Sequence, residues 1–191
     1  MKPEHDLPPL KPSTNRRFLV TEYGEPFFYQ GDTAWQLFHH LTQAEATVYL
    51  RDRAAKGFNV IQAVVLAELQ GDSRPNANGD VAIFNRDPDQ PNEAYFGHVD
   101  AIVQAANRMG LYIAMLPAWG CHTCARWPQD ENLFDERKAF QYGKFLGQRY
   151  RECAVIWVLG GDRTPEGSLP IHRRLAEGLE AGDGGRHLKS Y

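Results

Sequence analysis

The sequence predicts an α/β fold in which parallel strands alternate with helices. Three observations carry this reading. Short, branched, nearly continuous apolar runs recur at 59–66 (NVIQAVVL), 111–116 (LYIAML) and 155–159 (VIWVL), the pattern of strands buried on both faces. A helical pattern precedes each run, and two of those helices stop at a glycine, Gly57 and Gly110, at equivalent points of two units. Polar and aromatic residues, not more core, follow the runs. Helices that cross from strand to strand make these βα units of one parallel sheet.

Taken in order, residues 1–15 hold four of the 12 prolines and read as an extended, loosely held N-terminal arm. Residues 17–20 and 27–30 read as short strands separated by the turn Thr21-Glu22-Tyr23-Gly24-Glu25-Pro26, with 27–30 as the first parallel strand. Thr42-Gln43-Ala44-Glu45 is a capping box that opens a helix reaching Lys56. From 92 to 109, Phe96, Val99, Ile102, Val103 and Ala106 recur at helical spacing. A third helix runs from 134 to 150 with Ala139, Tyr142, Phe145, Leu146 and Tyr150 inward, and a fourth from 170 to 181 with Ile171, Leu175 and Leu179 inward. Four βα units are visible, with one domain expected over 16–191.

Composition narrows the function classes. The 191 residues are 42% hydrophobic and 12% aromatic, enough for one packed domain and unlike a disordered chain. The net charge of −3, with no Lys/Arg run, argues against nucleic acid as a partner. No apolar stretch approaches the ~20 residues of a membrane span, so no membrane partner is expected. The N-terminus lacks the apolar segment of a secretory signal, so the sequence as written reads as cytoplasmic, or as periplasmic or secreted if a signal lies upstream. Cys121 and Cys124 form one C-x-x-C around His122. Too few further ligands stand at metal spacing, and Trp127 and Pro128 follow where a redox helix would continue, so the pair reads as surface-loop cysteines. No metal or other cofactor is expected.

Four βα units fit an open doubly wound sheet or part of an eight-unit barrel, which takes ~250 residues when complete. A dinucleotide fold would place a three-glycine phosphate turn after its first strand. Gly31-Asp32-Thr33-Ala34-Trp35 has one glycine. The reading is therefore part of a TIM (β/α)8 barrel. In a barrel the chemistry gathers at the C-terminal strand ends. Those ends carry Asp32 and Trp35, then Gln62 and Glu68 with Asn76 in the long loop beyond, then Trp119, then Gly160-Gly161-Asp162. Carboxylates and amides pair with sugar hydroxyls, and indole rings pack on sugar C–H faces, so an oligosaccharide or polysaccharide is the expected partner.

Glycosidic cleavage uses two carboxyl groups, and Asp162 is the acid candidate; partial burial there would favour the protonated form. Structural roles compete at each position. Asp162 could cap a helix, Asp32 could brace its own turn, and Glu68 could sit in solvent. Trp157, Tyr95, Tyr142 and Tyr150 read as core, and His39 and His40 read as structural or with one of them reaching the site.

Together the motifs GDTAWQLFHHLT (31–42), RAAKGFNVIQAVVLAEL (53–69), PNEAYFGHVDAIV (91–103), GLYIAMLPAWG (110–120) and WVLGGD (157–162) resemble the apiosidase-like glycoside hydrolases, from about Leu10 to Ala181. The resemblance implies a (β/α)8 barrel that removes apiose-linked side chains from plant cell-wall pectin. It implies that Asp162 is the acid/base of a retaining mechanism, with a catalytic Glu after a later strand. The sequence reaches Tyr191 near where a fifth strand would begin, and no residue in it matches that nucleophile. The expected complement is a C-terminal half-barrel. A non-catalytic carbohydrate-binding half-barrel is the alternative.

Overall fold

Thr42 shows how local chemistry sets the first long element. Its hydroxyl accepts from the Glu45 amide at 3.3 Å while the Glu45 carboxylate accepts from the Thr42 amide at 2.9 Å. The capping box starts a helix at Gln43, and Gly57, at φ +84°, ends the segment in the left-handed region that a glycine adopts without strain. Gly110, at φ +80°, closes the next helix the same way. The computed structural model describes residues 7–68, 70–124 and 132–191. Residues 1–6 of the expected arm, Leu69 of the second motif, and Trp127 and Pro128 lie outside the described residues.

In chain order the elements are β1 (Leu10–Pro12), β2 (Leu19–Thr21), β3 (Pro26–Phe27), β4 (Gly31–Thr33), α1 (Leu37–His40), α2 (Gln43–Ala55), β5 (Val60–Leu66), α3 (Glu93–Arg108), β6 (Tyr112–Ala118), α4 (Gly120–Thr123), α5 (Glu136–Arg149), β7 (Val155–Val158), α6 (Leu169–Asp183) and β8 (Lys189–Ser190). Strands β1-β2-β3 form a small antiparallel sheet, and β4-β5-β6-β7-β8 form a parallel sheet in sequence order. That order, with a helix in each of the crossovers from β4 to β8, is the curved wall of a barrel, and β8 is the start of a fifth unit.

Strand alternation divides the sheet into two faces. Ile61, Ala63, Val65, Ile113, Met115, Val155 and Trp157 face the helices and build the main core with Leu50, Phe96, Val99, Leu146 and Leu175. Tyr95, Tyr142 and Tyr150 are buried there as expected; the Tyr95 hydroxyl donates to the Val65 carbonyl at 2.7 Å. Val60, Tyr112, Ala114 and Ile156 face the barrel interior. Arg149 of α5 clamps α3 by donating to Asp100 and Glu93, with its guanidinium over Phe96 and Phe145.

Two expectations need correction. Residues 7–15 are not a loose arm: β1 pairs with β2, Leu10 is buried against Val60 and Tyr112, and the Tyr112 hydroxyl donates to the Pro8 carbonyl at 2.6 Å. The N-terminal segment plugs the barrel floor. The first parallel strand is 31–33, not 27–30. Pro26–Phe27 pairs antiparallel with β2, and the next bonds go to the Asn59 side chain, which donates to the Phe28 carbonyl at 2.7 Å and accepts from the Gln30 amide at 2.9 Å. An asparagine amide takes the place of ladder bonds there, so pairing with β5 starts later.

Candidate active site

The sequence nominated residues from four strand ends, and the register decides which share a face. Thr33 pairs with Gln62 and Asp32 with Ile61. Gln62 therefore points into the barrel, where its amide donates to the Tyr29 hydroxyl at 3.1 Å. Burial pushes the Tyr29 phenol above its usual pKa, against the lowering effect of Gln62. These two side chains, with Ile156, Val158, Ser190 and Tyr191, line an open pocket of about 460 Å³ on the inner face of the sheet.

Asp32 faces the other way. One carboxylate oxygen accepts from the Tyr49 hydroxyl and from Arg53, both at 2.9 Å and both on α2, and the other accepts from the Thr33 amide at 2.9 Å. Burial alone would raise the Asp32 pKa; the hydrogen bonds from Tyr49, Thr33 and Arg53 and the Arg53 charge outweigh it and hold it below the usual range. Burial and the neighbouring carboxylate push the Tyr49 phenol up. Asp32 is committed to tying β4 to α2, and the structure does not bring it to Gln62.

Trp35 and Trp119 do meet. Their rings pack edge to face with centroids 5.3 Å apart, over Val64, Leu116 and Val158 at the upper inner face. Trp35 is half-buried; Trp119 is only 5% exposed, so it backs Trp35 rather than offering an open ring. The glycines before Asp162 have a steric reason. A Cβ on Gly161 would lie 2.9 Å from the Trp119 ring, and one on Gly160 would lie 2.5 Å from the Tyr191 ring. The backbone at Gly161 thus passes close against the Trp119 ring, one residue before Asp162. Asp162 itself is exposed, in the irregular segment between β7 and α6, and not partly buried as expected.

The β5 exit supplies the remaining nominees. Glu68 is half-buried, and its carbonyl accepts from the Gln36 amide, next to Trp35, at 3.3 Å. Asn76 is 6% exposed, and its side-chain oxygen accepts from the Asn78 and Asp80 amides, closing the long loop on itself. The loop is then pinned to α1 by the Ala77 amide donating to the His39 carbonyl at 2.9 Å. Asn76 thus shapes the loop while the loop packs beside the site. Sequence reading missed Tyr29, whose inward direction follows only from the true register. It also left His122 unassigned: that ring is buried, with Nε2 2.9 Å from the Ala67 carbonyl. Among the described residues no group of His, Cys, Asp and Glu is placed to hold a metal ion.

A parallel sheet in sequence order with helices in its crossovers, an N-terminal segment packed at its floor, and indoles and amides at its strand ends make up part of a (β/α)-barrel of the kind glycoside hydrolases share. The model of the apiosidase-like catalytic domain matches residues 13–191, and the chain belongs to that family. A family 5 glycoside hydrolase from Bacteroides vulgatus superposes with a TM-score of 0.81 at 31% identity, over 95% of this chain and 39% of that one. A second glycoside hydrolase gives 0.81 at 32% identity, over 95% of this chain and 40% of that one. A family 5 mannosidase from Rhizomucor miehei shares the fold, with a TM-score of 0.65 at 13% identity, over 96% of this chain and 55% of that one. No curated protein matches. The chain therefore spans about two fifths of the length of its more similar relatives.

Proposed function

We propose that this chain supplies the proton-donating half of a retaining glycoside hydrolase that removes apiose-linked side chains from pectin. Asp162 protonates the glycosidic oxygen as the bond to the anomeric carbon breaks. A carboxylate from outside these 191 residues attacks that carbon and forms a glycosyl ester. Asp162, now ionised, takes a proton from the water that hydrolyses the ester. Trp35 offers its half-buried ring to a sugar C–H face, Trp119 backs it, and Gln62 with Tyr29 offers polar groups inside the barrel. Glu68, whose carbonyl holds the Gln36 side chain, is a candidate partner for sugar hydroxyls.

One observation carries the reading. The Gly160-Gly161 backbone lies against Tyr191 and Trp119, which supports a place for the next residue, Asp162, near the indole pair. A retaining pair needs its second carboxyl ~5–5.5 Å away, and Asp32, turned to α2, is not available for it. The test measures sugar release from apiose-linked pectic fragments by a form of the protein carrying eight βα units, beside residues 1–191 alone. The longer form is expected to turn over, and Asp162→Asn to lower its rate by at least ~10²-fold, the low end for a general acid–base. Residues 1–191 are expected to bind without turnover. Near wild-type turnover in Asp162→Asn would refute the assignment.

A further inference from the structure

Trp119 is placed by its neighbours' backbones, and one buried side chain links those backbones. The Trp119 amide donates to the Leu66 carbonyl at 2.9 Å, where β6 leaves the sheet beside β5. The chain then turns through α4, and the His122 amide donates back to the Trp119 carbonyl at 3.0 Å. The His122 ring is 4% exposed and returns to β5, with Nε2 2.9 Å from the Ala67 carbonyl. The same Ala67 oxygen accepts from the Gly71 amide at 3.2 Å, so both of its lone pairs are engaged. A carbonyl only accepts, so the ring hydrogen sits on Nε2. The His122 carbonyl in turn accepts from the Leu133 amide at 2.9 Å, which anchors the far side of the loop.

We infer that His122 is a positioning residue for the indole pair: it locks the β6 exit to the β5 exit and so fixes Trp119, and through it Trp35, against the barrel mouth. Two points support this beyond the hydrogen bond. Trp119 is held on its other side by the Gly161 backbone, so a displaced β6 exit has no room to move toward β7 and must shift the ring toward Trp35. The Ala67 carbonyl lies one residue before Glu68, whose own carbonyl holds Gln36 next to Trp35. One side chain therefore closes a ring of contacts running Trp119, His122, Ala67, Glu68, Gln36, Trp35 and back to Trp119. The value of that ring for sugar binding rests on the proposed function; the geometry of the indole pair does not.

The experiment separates the two. The exciton couplet of the indole pair in far-ultraviolet circular dichroism, defined as wild type minus Trp35→Phe, reports ring geometry with no sugar present. His122→Gln, whose amide nitrogen can reach the Ala67 carbonyl, is expected to keep the couplet. His122→Phe, which fills the space without a donor, is expected to lose more than half of it while still melting cooperatively. Affinity for an apiose-bearing pectic oligosaccharide is expected to follow, within about threefold of wild type for Gln and weaker by tenfold or more for Phe. An unchanged couplet in His122→Phe overturns the inference. Should that variant not fold, long-range proton–nitrogen spectra of the wild-type chain decide, with His122→Gln identifying the resonance: hydrogen on Nε2 supports the bond, and hydrogen on Nδ1 alone overturns it. If the couplet behaves as expected but wild type binds no such sugar, the positioning role stands and the sugar reading falls.

Discussion

Replacing Gly178 by alanine should destabilise the protein, while the same change at Gly97 should stabilise it. Both glycines are in helices, Gly178 in α6 and Gly97 in α3, so intrinsic helix propensity favours alanine at both by about 0.8–1 kcal/mol. The surroundings differ. A Cβ on Gly97 meets nothing within 4 Å. A Cβ on Gly178 would lie 2.9 Å from both the Lys144 nitrogen and the Phe140 carbonyl carbon, and closer still to the Phe140 carbonyl oxygen. Those are backbone atoms of α5, which cannot rotate away. The contact is part of a two-sided set. Gly143 and Gly147 of α5 face the backbone of α6, and Gly178 and Gly182 of α6 face the backbone of α5, each pair spaced by four. Overpacking in a tight core costs about 1–3 kcal/mol, and rigid backbone opposition puts this site at the upper end, so the net loss at Gly178 is about 2 kcal/mol after the propensity gain. For a chain of this size that is a fall in Tm of about 4–8 °C, against a rise of about 2–4 °C for Gly97→Ala. Thermal melts followed by circular dichroism read both. A Gly178→Ala protein that melts as high as Gly97→Ala would show that the two helices do not meet backbone to backbone.

Three further outcomes are expected. Asp183 is buried and accepts from the Trp157 indole at 2.9 Å, the His187 ring at 3.0 Å and the Gly185 amide at 2.8 Å, so Asp183→Ala strands the two buried ring donors and should cost about 3–5 kcal/mol, read as a lower urea midpoint; a shift below about 1 kcal/mol would contradict the role. Burial holds the pKa values of His39, His98 and His172 below the ordinary 6.5, so the unfolded chain takes up protons first as pH falls. Their contribution is therefore full above about pH 7 and declines as pH drops through 6.5 toward the depressed values; Tm should be lower at pH 5.5 than at 7.5, and an equal or higher Tm would show that these rings do not destabilise the fold on protonation. Asp32→Asn should cost about 1 kcal/mol of stability by weakening the partly exposed link to Arg53 and Tyr49, yet leave oligosaccharide affinity within about twofold by calorimetry; a tenfold loss of affinity would return Asp32 to the sugar site.

The long elements were legible because periodicity and punctuation agreed. Strands β5, β6 and β7 are apolar on both faces, which only a sheet packed inside and out requires, and Gly57 and Gly110 mark the turns that feed β5 and β6. The first parallel strand was not legible. It is three residues long, it has no branched run, and its neighbour's ladder is replaced by the Asn59 amide, a contact between positions far apart in sequence. The packing of α5 on α6 was written in the sequence as glycines at steps of four on both helices, but the large apolar residues of the same faces masked it. At the site, Trp35 and Trp119 were legible as strand-end residues, but their contact across the end of β5 was not. The bond from His122 to Ala67 depended on a loop path that no spacing specifies.

Asp32 shows why one carboxylate can be read correctly in place and wrongly in role. Side chains alternate across a strand, so whether a residue serves the active site or the helix layer depends on parity, not on proximity to the strand end. With the strand placed at 27–30, Asp32 falls just past its end, where a loop residue is free to turn toward substrate. With the strand at 31–33, Asp32 is the middle residue and pairs with Ile61, a core position under the helices. Its charge then has to be met on that face, and α2 meets it with Tyr49 and Arg53, residues four apart on one helical stripe. The inward position at this level belongs to Thr33 and Gln62 instead. The consequence reaches the mechanism: with Asp32 satisfied behind the sheet, a base for an inverting reaction cannot come from β4. Glu68 at the β5 exit is then one alternative to the carboxylate proposed from outside these 191 residues. Glu68→Gln in a form with eight βα units separates these, since a base or nucleophile loses at least ~10²-fold in turnover while a hydroxyl-binding residue shifts KM far more than kcat.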